Sequence, residues 1–411
     1  MLPTPRDVTP APARRPAWRF VVETILFLSY AVFGLSWIGV APLMAVLQAH
    51  FHVGSSAIAL LNTTVAAAKM VTPIVTGFAA ARIGLRRTLT VGALCIVAGG
   101  VLLPLSDRFA LALVGRFIFG CGGAVVVTLL APVVVQWFEG GERLVVNALN
   151  NVAVNTGIAI TLFTTTPLAA RFGWRGALFI YSGLSASLAL AWILLGRERD
   201  AAAIPRTATS RAPAVASYRD VWRRRETWLV TLGFLAPLAL YLAFNTWLPR
   251  YLVEARGVAQ TTASHLMGLC NLVGIPAAIA GGVLSARLGH RRLFIIGAGL
   301  AIGGGALGLL YARTPTGLLA SACVLGAALF VASSPLLTTA MELPGMTPAH
   351  VSLLMGTVLS GSYLVSSLSP VLVGWLRDRG TSLLPGLVVW AAFSFVLVPV
   401  GVLLPETGRR R

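Results

Sequence analysis

The sequence contains the same short basic motif twice, about half a chain apart. Residues 77–87 are GFAAARIGLRR and residues 282–292 are GVLSARLGHRR, so Arg82 and Arg287 occupy equivalent positions. Each copy follows one long apolar segment and precedes another. A repeat on this scale indicates that the chain consists of two similar halves, and the whole fold has to accommodate that repeat.

Apolar segments long enough to cross a bilayer recur along the whole chain. Of the 411 residues, 57% are hydrophobic and only 11% are charged, which excludes an ordinary soluble domain. About 20 apolar residues cross the hydrocarbon core as one helix. We predict an all-α membrane protein with two pseudo-symmetric bundles of six helices. The twelve predicted helices cover residues 20–48, 55–81, 88–105, 107–137, 144–169, 174–196, 227–252, 262–286, 292–312, 314–343, 349–376 and 382–405.

The polar segments divide the chain into five predicted regions. Residues 1–19 are rich in Pro and Arg and are predicted to be disordered, and residues 20–196 form the first bundle. Residues 197–226 form a linker rich in Ala, Pro, Ser, Thr and Arg, residues 227–405 form the second bundle, and residues 406–411 form a basic tail. The first apolar segment is too long for a signal-peptide core, so we expect it to be retained as a helix.

The net charge of +19 is explained by where the basic residues lie. If the N-terminus is inside, about two thirds of the 32 Lys and Arg fall in cytoplasmic segments, as the positive-inside rule requires. We therefore predict a multi-pass protein of a bacterial inner membrane with both termini in the cytoplasm. Its basic segments are expected to contact anionic lipids and not nucleic acid, and we expect a monomer.

Three motifs resemble those of the major facilitator superfamily. The repeated G-x-x-x-x-R-x-G-x-R-R is similar to the loop signature that follows the second and the eighth helix of that family. Arg116, Gly120 and Gly122 resemble its fourth-helix arginine–glycine motif. Trp247 and Pro249 resemble the end of the seventh helix in cyanate- and nitroimidazole-permease-like members. The resemblance implies a secondary transporter whose halves rock around a central site.

The loop signature also departs from the family pattern. Ala81 and Ala286 occupy the positions where the family has an acidic residue that helps to latch the two halves together. The resemblance therefore implies an inner gate that is weaker or differently built. Glu23, near the cytoplasmic start of the first helix, is a candidate carrier of a coupling proton or an ordinary helix-end charge. The predicted gating residues are the signature arginines Arg82, Arg86, Arg87, Arg287, Arg291 and Arg292.

Two positive charges lie deep within the predicted helices. Lys69 is the only lysine of the chain and lies near the midpoint of the second helix, and Arg116 lies about a third of the way into the fourth. No Asp or Glu lies at a comparable depth. Because a buried charge requires a partner, the pattern favours an anionic substrate bound by Lys69 and Arg116. Alternatively, Lys69 could extend its ammonium group toward the membrane interface, bond backbone carbonyls or be uncharged, and Arg116 could act only in the conformational change.

Polar and aromatic side chains recur on single faces of several helices. Asn147, Asn151 and Asn155 are spaced by four residues, in a segment that resembles the fifth helix of nitrate and nitrite transporters. Such a face either lines the cavity or bonds a neighbouring helix. The predicted substrate-binding residues, besides Lys69 and Arg116, are Tyr30, Trp37, Asn151, Asn155, Tyr241, Asn245, Asn271 and Tyr363.

The predicted function is secondary active transport of a small anion, a carboxylate or an inorganic anion, with protons as a possible coupling ion. The alternative is an exporter of drugs or hydrophobic compounds, which would require an acidic residue in the cavity if its substrates were cations. The five histidines lie in loops or near helix ends, and no nucleotide-binding or hydrolase motif occurs. We therefore predict no catalytic site, no metal and no cofactor.

Overall fold

The structure, a computed structural model, is helical and contains no strand in the parts of the chain that it describes. It describes residues 17–139, 141–198, 215–343, 348–380 and 382–407. Most of the predicted N-terminal segment, most of the predicted linker and the end of the basic tail lie outside the described residues. The predicted domain boundaries therefore remain predictions.

The first part of the chain, which we call the N half, contains five long helices, one helix of eight residues and a short 3₁₀ turn among its described residues. The first membrane crossing is a helix that is broken at a 3₁₀ turn, and this turn contains Pro42. A proline lacks the N–H of a helical hydrogen bond, which explains the break. The elements are α1 (Trp18–Ile38), the 3₁₀ turn (Ala41–Leu43), α2 (Met44–Phe51), α3 (Ser55–Ile83), α4 (Leu85–Leu105), α5 (Phe109–Trp137) and α6 (Gly141–Leu195).

Helix α6 is two membrane crossings joined at a sharp turn. Its 55 residues would extend about 80 Å as one straight helix, far more than the ~30 Å hydrocarbon core of a bilayer. Gly173 breaks the helix with a φ of 71° and a ψ of 167°, a conformation that is accessible to glycine and not to other residues. The break lies in the gap that the sequence predicts between its fifth and sixth helices.

The second part of the chain, which we call the C half, repeats this arrangement with more broken helices. Pro370 and Pro399 lie at or near two of its breaks, as Pro42 does in the N half. Its helices are α8 (Arg225–Arg256), α9 (Gln260–Leu288), α10 (Arg291–Tyr311), α11 (Pro315–Val331), α12 (Ser333–Met341), α13 (Pro348–Ser367), α14 (Ser369–Arg379), α15 (Leu384–Ser394) and α16 (Leu397–Leu403).

One short helix was not predicted from the sequence. Helix α7 (Val215–Arg223) lies inside the predicted linker, just before α8. Val221 is buried, and the indole N–H of Trp222 donates to the hydroxyl of Thr357 at 3.1 Å. Contacts with the C half therefore hold α7 in place, and a periodicity search over so few residues cannot anticipate them.

The observed helices confirm the predicted fold class. The described residues contain eleven apolar segments that are long enough to cross a bilayer, and the segment Val145–Leu195 contains two crossings because of the turn at Gly173. Twelve crossings place both ends of the described chain on one face of the bundle, which we call the terminal face. The other face, which carries the α2–α3 and α8–α9 connections, is called the opposite face.

Small residues bring the helices of the N half into backbone contact. A Cβ atom on Gly157 of α6 would lie 1.7 Å from the carbonyl oxygen of Ala31 in α1. A Cβ atom on Gly34 of α1 would lie 2.2 Å from the carbonyl oxygen of Val154 in α6. Membrane helices gain little from apolar burial alone, so this close packing is a main source of their association.

The two copies of the basic motif are stabilised in the same way. The carboxylate of Glu198, beyond the end of α6, accepts hydrogen bonds from the backbone N–H groups of Leu85 and Arg86 at the start of α4. The carboxylate of Glu406, beyond the end of α16, accepts from the backbone N–H groups of Arg291 and Arg292 at the start of α10. Each half therefore supplies a carboxylate that caps the helix following its own copy of the basic motif. The helix dipole favours a negative charge at the start of a helix.

Candidate functional site

A cavity of about 310 Å³ lies in the middle of the bundle, between the N half and the C half. This volume is at the lower end of the range for small-molecule pockets. The N half contributes Tyr30, Trp37, Lys69, Val154, Asn155 and Ile158 to its wall. The C half contributes Phe234, Pro237, Leu238, Tyr241, Leu242, Leu329, Phe330, Ala332, Ser333, Leu336 and Tyr363.

Lys69 is the only Lys, Arg, Asp or Glu among the described residues that line the cavity. It lies at the midpoint of α3 (Ser55–Ile83), about 20 Å along the helix from the opposite face. Helix α3 contributes no other described residue to the cavity wall, and its second charged side chain, Arg82, is exposed at the terminal face. This places a cation at mid-membrane depth, where ionisable residues are rare and functional.

Aromatic rings surround the ammonium group of Lys69. Its Nζ lies 4.2 Å from the ring centre of Trp37, 5.2 Å from that of Phe33 and 5.9 Å from that of Tyr30, all on α1. Tyr363 of α13 lies 6.0 Å away, so the C half completes the group. The faces of aromatic rings carry partial negative charge and stabilise a cation at these distances. We call these four rings and Lys69 the aromatic cage.

The aromatic cage does not provide an anionic partner for Lys69. In the described parts of the chain, its ammonium group forms neither an ion pair nor a hydrogen bond. An ammonium group has three N–H donors, and ring faces do not replace carboxylate or carbonyl acceptors. The cavity therefore contains a cation whose hydrogen-bonding capacity is available to another molecule.

A hydrogen-bond network forms the polar part of the cavity wall. The hydroxyl of Tyr241 lies 2.8 Å from the Oδ1 of Asn271 and 3.3 Å from the Oδ1 of Asn155, so it links α8 with α9 and with α6. The amide of Asn271 donates to the Oδ1 of Asn245 at 3.1 Å, and the amide of Asn245 donates to the carbonyl of Tyr241. Tyr241 and Asn155 line the cavity, and Asn245 and Asn271 lie behind them and fix the position of Tyr241.

Arg116 lies outside the cavity and is only 3% exposed. Its guanidinium donates to the carbonyls of Leu61, Ser36 and Trp37 at 2.9, 3.1 and 2.7 Å, and to the amide oxygen of Asn62 at 3.3 Å. These contacts join α5 to α1 and α3. The geometry thus supports a structural role, since the donors of Arg116 are directed at protein acceptors and not at the cavity.

The predicted gating arginines lie on the terminal face, away from the cavity. Arg82, Arg87 and Arg287 are exposed. Arg86 donates to the carbonyl of Ile193, Arg291 pairs with Glu342, and Arg292 donates to the carbonyls of Gly401 and Val402. Each of these contacts stays within one half. The side chain of Asn151, predicted as a binding residue, lies outside the part of the structure that is described.

Glu23 occupies a separate buried position near the terminal face. It is 7% exposed and lies beside the side chain of Asn150 of α6. The nearby Arg19 of α1 pairs with Glu142 at 2.8 Å. The group does not contribute to the wall of the central cavity. It is a buried carboxylate without a counter-charge among the described residues.

Hydrogen bonds between the N half and the C half show where the bundle is closed. Those that join described residues lie either at the cavity or between it and the opposite face. At the opposite face Asp378 accepts from the N–H groups of Ser55 and Ser56 at 2.7 and 2.8 Å, and Arg250 donates to Gln48 at 2.6 Å. The other such bonds join Asn62 with Thr246, Thr63 with Ser367, Thr166 with Ser264, Pro42 with Gln260 and Asn155 with Tyr241. The bundle is therefore closed at the opposite face.

The apolar wall of the cavity was not predicted from the sequence. Phe234, Leu238 and Tyr241 follow one another on one face of α8, and Phe330 and Ser333 flank the break between α11 and α12. The spacing on α8 is visible in the sequence as an extension of the predicted polar and aromatic face. In a membrane helix, however, an apolar stripe that lines a cavity has the same pattern as one that packs against a neighbour. No metal-binding cluster of three or more His, Cys, Asp or Glu occurs among the described residues.

The sequence and the fold both match known transporters. The family model described as Major Facilitator Superfamily matches residues 26–370. The chain is 25% identical to the probable sulfoacetate transporter SauU of Cupriavidus necator, with 94% of this chain and 92% of the relative covered. It is 23% identical to the nitrite extrusion protein of Bacillus subtilis, with 65% and 66% covered.

A solved structure shares the same arrangement of helices. It is the crystal structure of a bacterial homologue of the human lysosomal transporter Spinster, in an inward-facing and occupied conformation. The TM-score is 0.77 over 95% of this chain and 98% of that chain. The sequence identity is 15%, so the similarity concerns the fold.

Proposed function

We propose that this chain, which belongs to the Major Facilitator Superfamily, transports a small anionic solute that binds to Lys69. The family assignment and the relatives identify a multi-pass membrane transporter and not an enzyme. The observation that carries the finer proposal is the ammonium group of Lys69, which lines the central cavity without an anionic partner among the described residues.

The charge of the cavity supports an anion over a cation. Lys69 is the one formally charged side chain in its described wall, and a substrate cation would find no carboxylate there. Burying an unpaired charge is costly, and a substrate anion would offset that cost. Relatives named for nitrite and sulfoacetate, both anions, support the same substrate class.

The proposed mechanism is alternating access, in which the two halves rock around the cavity. If both termini are cytoplasmic, as the distribution of basic residues predicts, the opposite face is external and the closed contacts there define an inward-facing state. An anion would enter or leave between the halves on the terminal side of Lys69. Separation of Asp378 from Ser55 and Ser56 would then open the external side.

Glu23 is the residue that we propose for proton coupling. A buried carboxylate in this position can take up and release a proton as its surroundings change between the two states. Arg19, one turn before Glu23 in α1, pairs with Glu142 of α6. A neutral Glu23→Gln variant should transport the anion without a response to an imposed pH gradient.

The alternative function, export of drugs or hydrophobic compounds, is favoured by one observation. Much of the C-half wall is apolar, including Phe234, Leu238 and Phe330. This wall would accept an uncharged apolar molecule, but such a molecule would leave the ammonium of Lys69 unpaired. The two functions therefore differ in whether binding requires the charge of Lys69.

Counterflow in proteoliposomes tests the proposal. Vesicles that contain the purified protein are loaded with unlabelled nitrite, acetate or benzoate, and the accumulation of the labelled anion from outside is followed. We expect accumulation of at least one anion by the native chain and a loss of at least about tenfold in Lys69→Gln, since a charge-assisted hydrogen bond contributes more than the ~1.4 kcal/mol that a factor of ten requires. Accumulation that is unchanged in Lys69→Gln would contradict the proposal.

A further inference from the structure

We propose that the substrate is an organic anion with a single negative charge and an apolar body, and that the two halves of the protein recognise these two parts separately. The inference rests on the proposed function, because it assigns the charged end of the substrate to Lys69. It excludes inorganic oxyanions and dicarboxylates as the preferred substrates.

The number of charges follows from the cations near the cavity. Lys69 is the one basic side chain in the described wall, and the guanidinium of Arg116 is occupied by the carbonyls of Leu61, Ser36 and Trp37. A second negative charge on the substrate would be buried without a counter-charge. A single carboxylate, in contrast, can accept from the ammonium of Lys69 and from hydroxyl groups at the cavity wall.

The size of the cavity requires a molecule larger than an inorganic anion. A volume of about 310 Å³ corresponds to the share of about ten water molecules in the liquid. An anion of four atoms would leave most of this volume to water in contact with apolar side chains. A substrate that replaces this water with an apolar body gains the hydrophobic contribution of the buried surface.

The apolar body faces the C half. The C-half part of the wall contains no charged group among its described residues. Its apolar side chains are Phe234 and Leu238 of α8, Leu329 and Phe330 of α11 and Leu336 of α12. Phe330 is held edge-on against Tyr241, with ring centres 6.1 Å apart. This part of the wall favours a planar or branched hydrocarbon group.

The two walls lie on parts of the protein that move relative to each other in alternating access. Lys69 belongs to α3 of the N half, and Leu238 and Phe330 belong to the C half. A molecule that carries both a charge and an apolar body contacts both halves at once. A small inorganic anion bound at Lys69 would contact mainly the N half.

A thermal-shift series with five probes tests the inference. The purified full chain is titrated at constant ionic strength with benzoate, acetate, nitrate, terephthalate and benzamide. A ligand that binds the folded state raises the apparent Tm with its concentration. We expect benzoate to produce the same rise in Tm at a concentration at least about tenfold lower than acetate or nitrate, a difference of ~1.4 kcal/mol. Terephthalate, with two charges, and benzamide, with none, are expected to be weaker than benzoate.

Variants of each wall separate the two recognition elements. Lys69→Gln should remove the shift with benzoate, and Lys69→Arg should retain part of it. Leu238→Ala should weaken benzoate several-fold more than it weakens acetate, because it removes part of the apolar wall only. Leu190→Ala, at an exposed leucine of α6, is the matched control and should change neither.

Different results overturn the inference and the proposed function. If nitrate or acetate binds as tightly as benzoate and Lys69→Gln abolishes that binding, the proposal of an anion site at Lys69 is supported. The proposal that the substrate has an apolar body is then wrong. Tighter binding of terephthalate than of benzoate would show that the preferred substrate does not carry a single negative charge. Stabilisation by benzamide that persists in Lys69→Gln, or the absence of a shift with all the anions, would contradict both.

Discussion

The Nζ of Lys69 lies 4.2 Å from the centre of the Trp37 ring. This contact positions the one charged group of the described cavity wall. Trp37 belongs to α1 and Lys69 to α3, so the pair also joins two helices of the N half. Tyr363 reaches the same ammonium from the C half, with its ring centre at 6.0 Å. The ammonium that is expected to bind the substrate charge therefore belongs to the N half, and the C half adds one ring to the aromatic cage.

Removal of the Trp37 ring should weaken anion binding without unfolding the protein. A cation–π contact contributes about 1 kcal/mol, so Trp37→Leu should lower the affinity for benzoate about fivefold, because Lys69 loses its nearest ring. Trp37→Phe is the control and should retain most of the affinity. The indole N–H of Trp37 has no hydrogen-bond partner among the described residues, so its loss in Trp37→Phe should not reduce stability. Isothermal titration calorimetry measures the affinities, and equal values for native chain and Trp37→Leu would count against the aromatic cage.

Replacement of Arg116 should affect stability more than anion binding. A lysine has one ammonium group and cannot donate to the separate carbonyls of Leu61, Ser36 and Trp37. We expect Arg116→Lys to lose roughly 2 kcal/mol of stability or more, seen as a lower Tm, since buried acceptors lose charged donors. The exposed Arg171→Lys is the control. An unchanged Tm with loss of the benzoate shift would instead place Arg116 in the anion site.

Asp378 should control the closed state of the opposite face. Its carboxylate accepts from two N–H groups at the start of α3, where the helix dipole favours a negative charge. Asp378→Asn removes that charge, and a change of about 1 kcal/mol shifts a two-state equilibrium about fivefold toward the open form. Asp107→Asn is the control because Asp107 pairs with Arg175 inside the N half.

Pulsed EPR can detect this shift in a cysteine-free background with spin labels at Arg171→Cys and Arg313→Cys. Both positions are exposed, one in each half. We expect a larger population of long distances in Asp378→Asn and an unchanged distribution in Asp107→Asn. Identical distributions in all three proteins would show that the Asp378 contact does not hold the opposite face closed.

Gly157 should be essential for the contact between α1 and α6. A side chain at this position would collide with the backbone of Ala31, and overpacking of this kind costs about 1–3 kcal/mol or more. Gly157→Val should therefore lower the Tm and the yield of monodisperse protein. Gly183→Val, in the same helix, is the control because no atom of a neighbouring element lies within 4 Å of the place that its Cβ would occupy. Equal losses in both variants would contradict a specific contact at Gly157.

The fold was predictable because hydrophobic length alone identifies membrane helices. Twelve crossings follow from apolar segments of about 20 residues, and the turn at Gly173 lies in the predicted gap between residues 169 and 174. The depth of Lys69 was also predictable, since the position of a residue along a helix is set by the chain. These properties depend on local sequence and need no knowledge of tertiary contacts.

The partners of the charged residues were not predictable for physical reasons. Arg116 bonds backbone carbonyls, which every residue possesses and which therefore leave no pattern in the sequence. Glu198 and Glu406 cap α4 and α10 from polar segments far away in the chain, and only the fold brings them there. These caps provide acidic partners inside each half where Ala81 and Ala286 replace the acidic residue of the family signature.

The most direct test of the account is the affinity of Lys69→Gln for benzoate, measured by isothermal titration calorimetry beside the native chain and Arg171→Gln. Arg171→Gln removes one positive charge from an exposed position and controls for net charge. Because Lys69 is the one cation in the described cavity wall, its variant should lose at least about tenfold in affinity, and Arg171→Gln should bind as the native chain does. Equal affinity of the native chain and Lys69→Gln would contradict the central claim that Lys69 binds the anion.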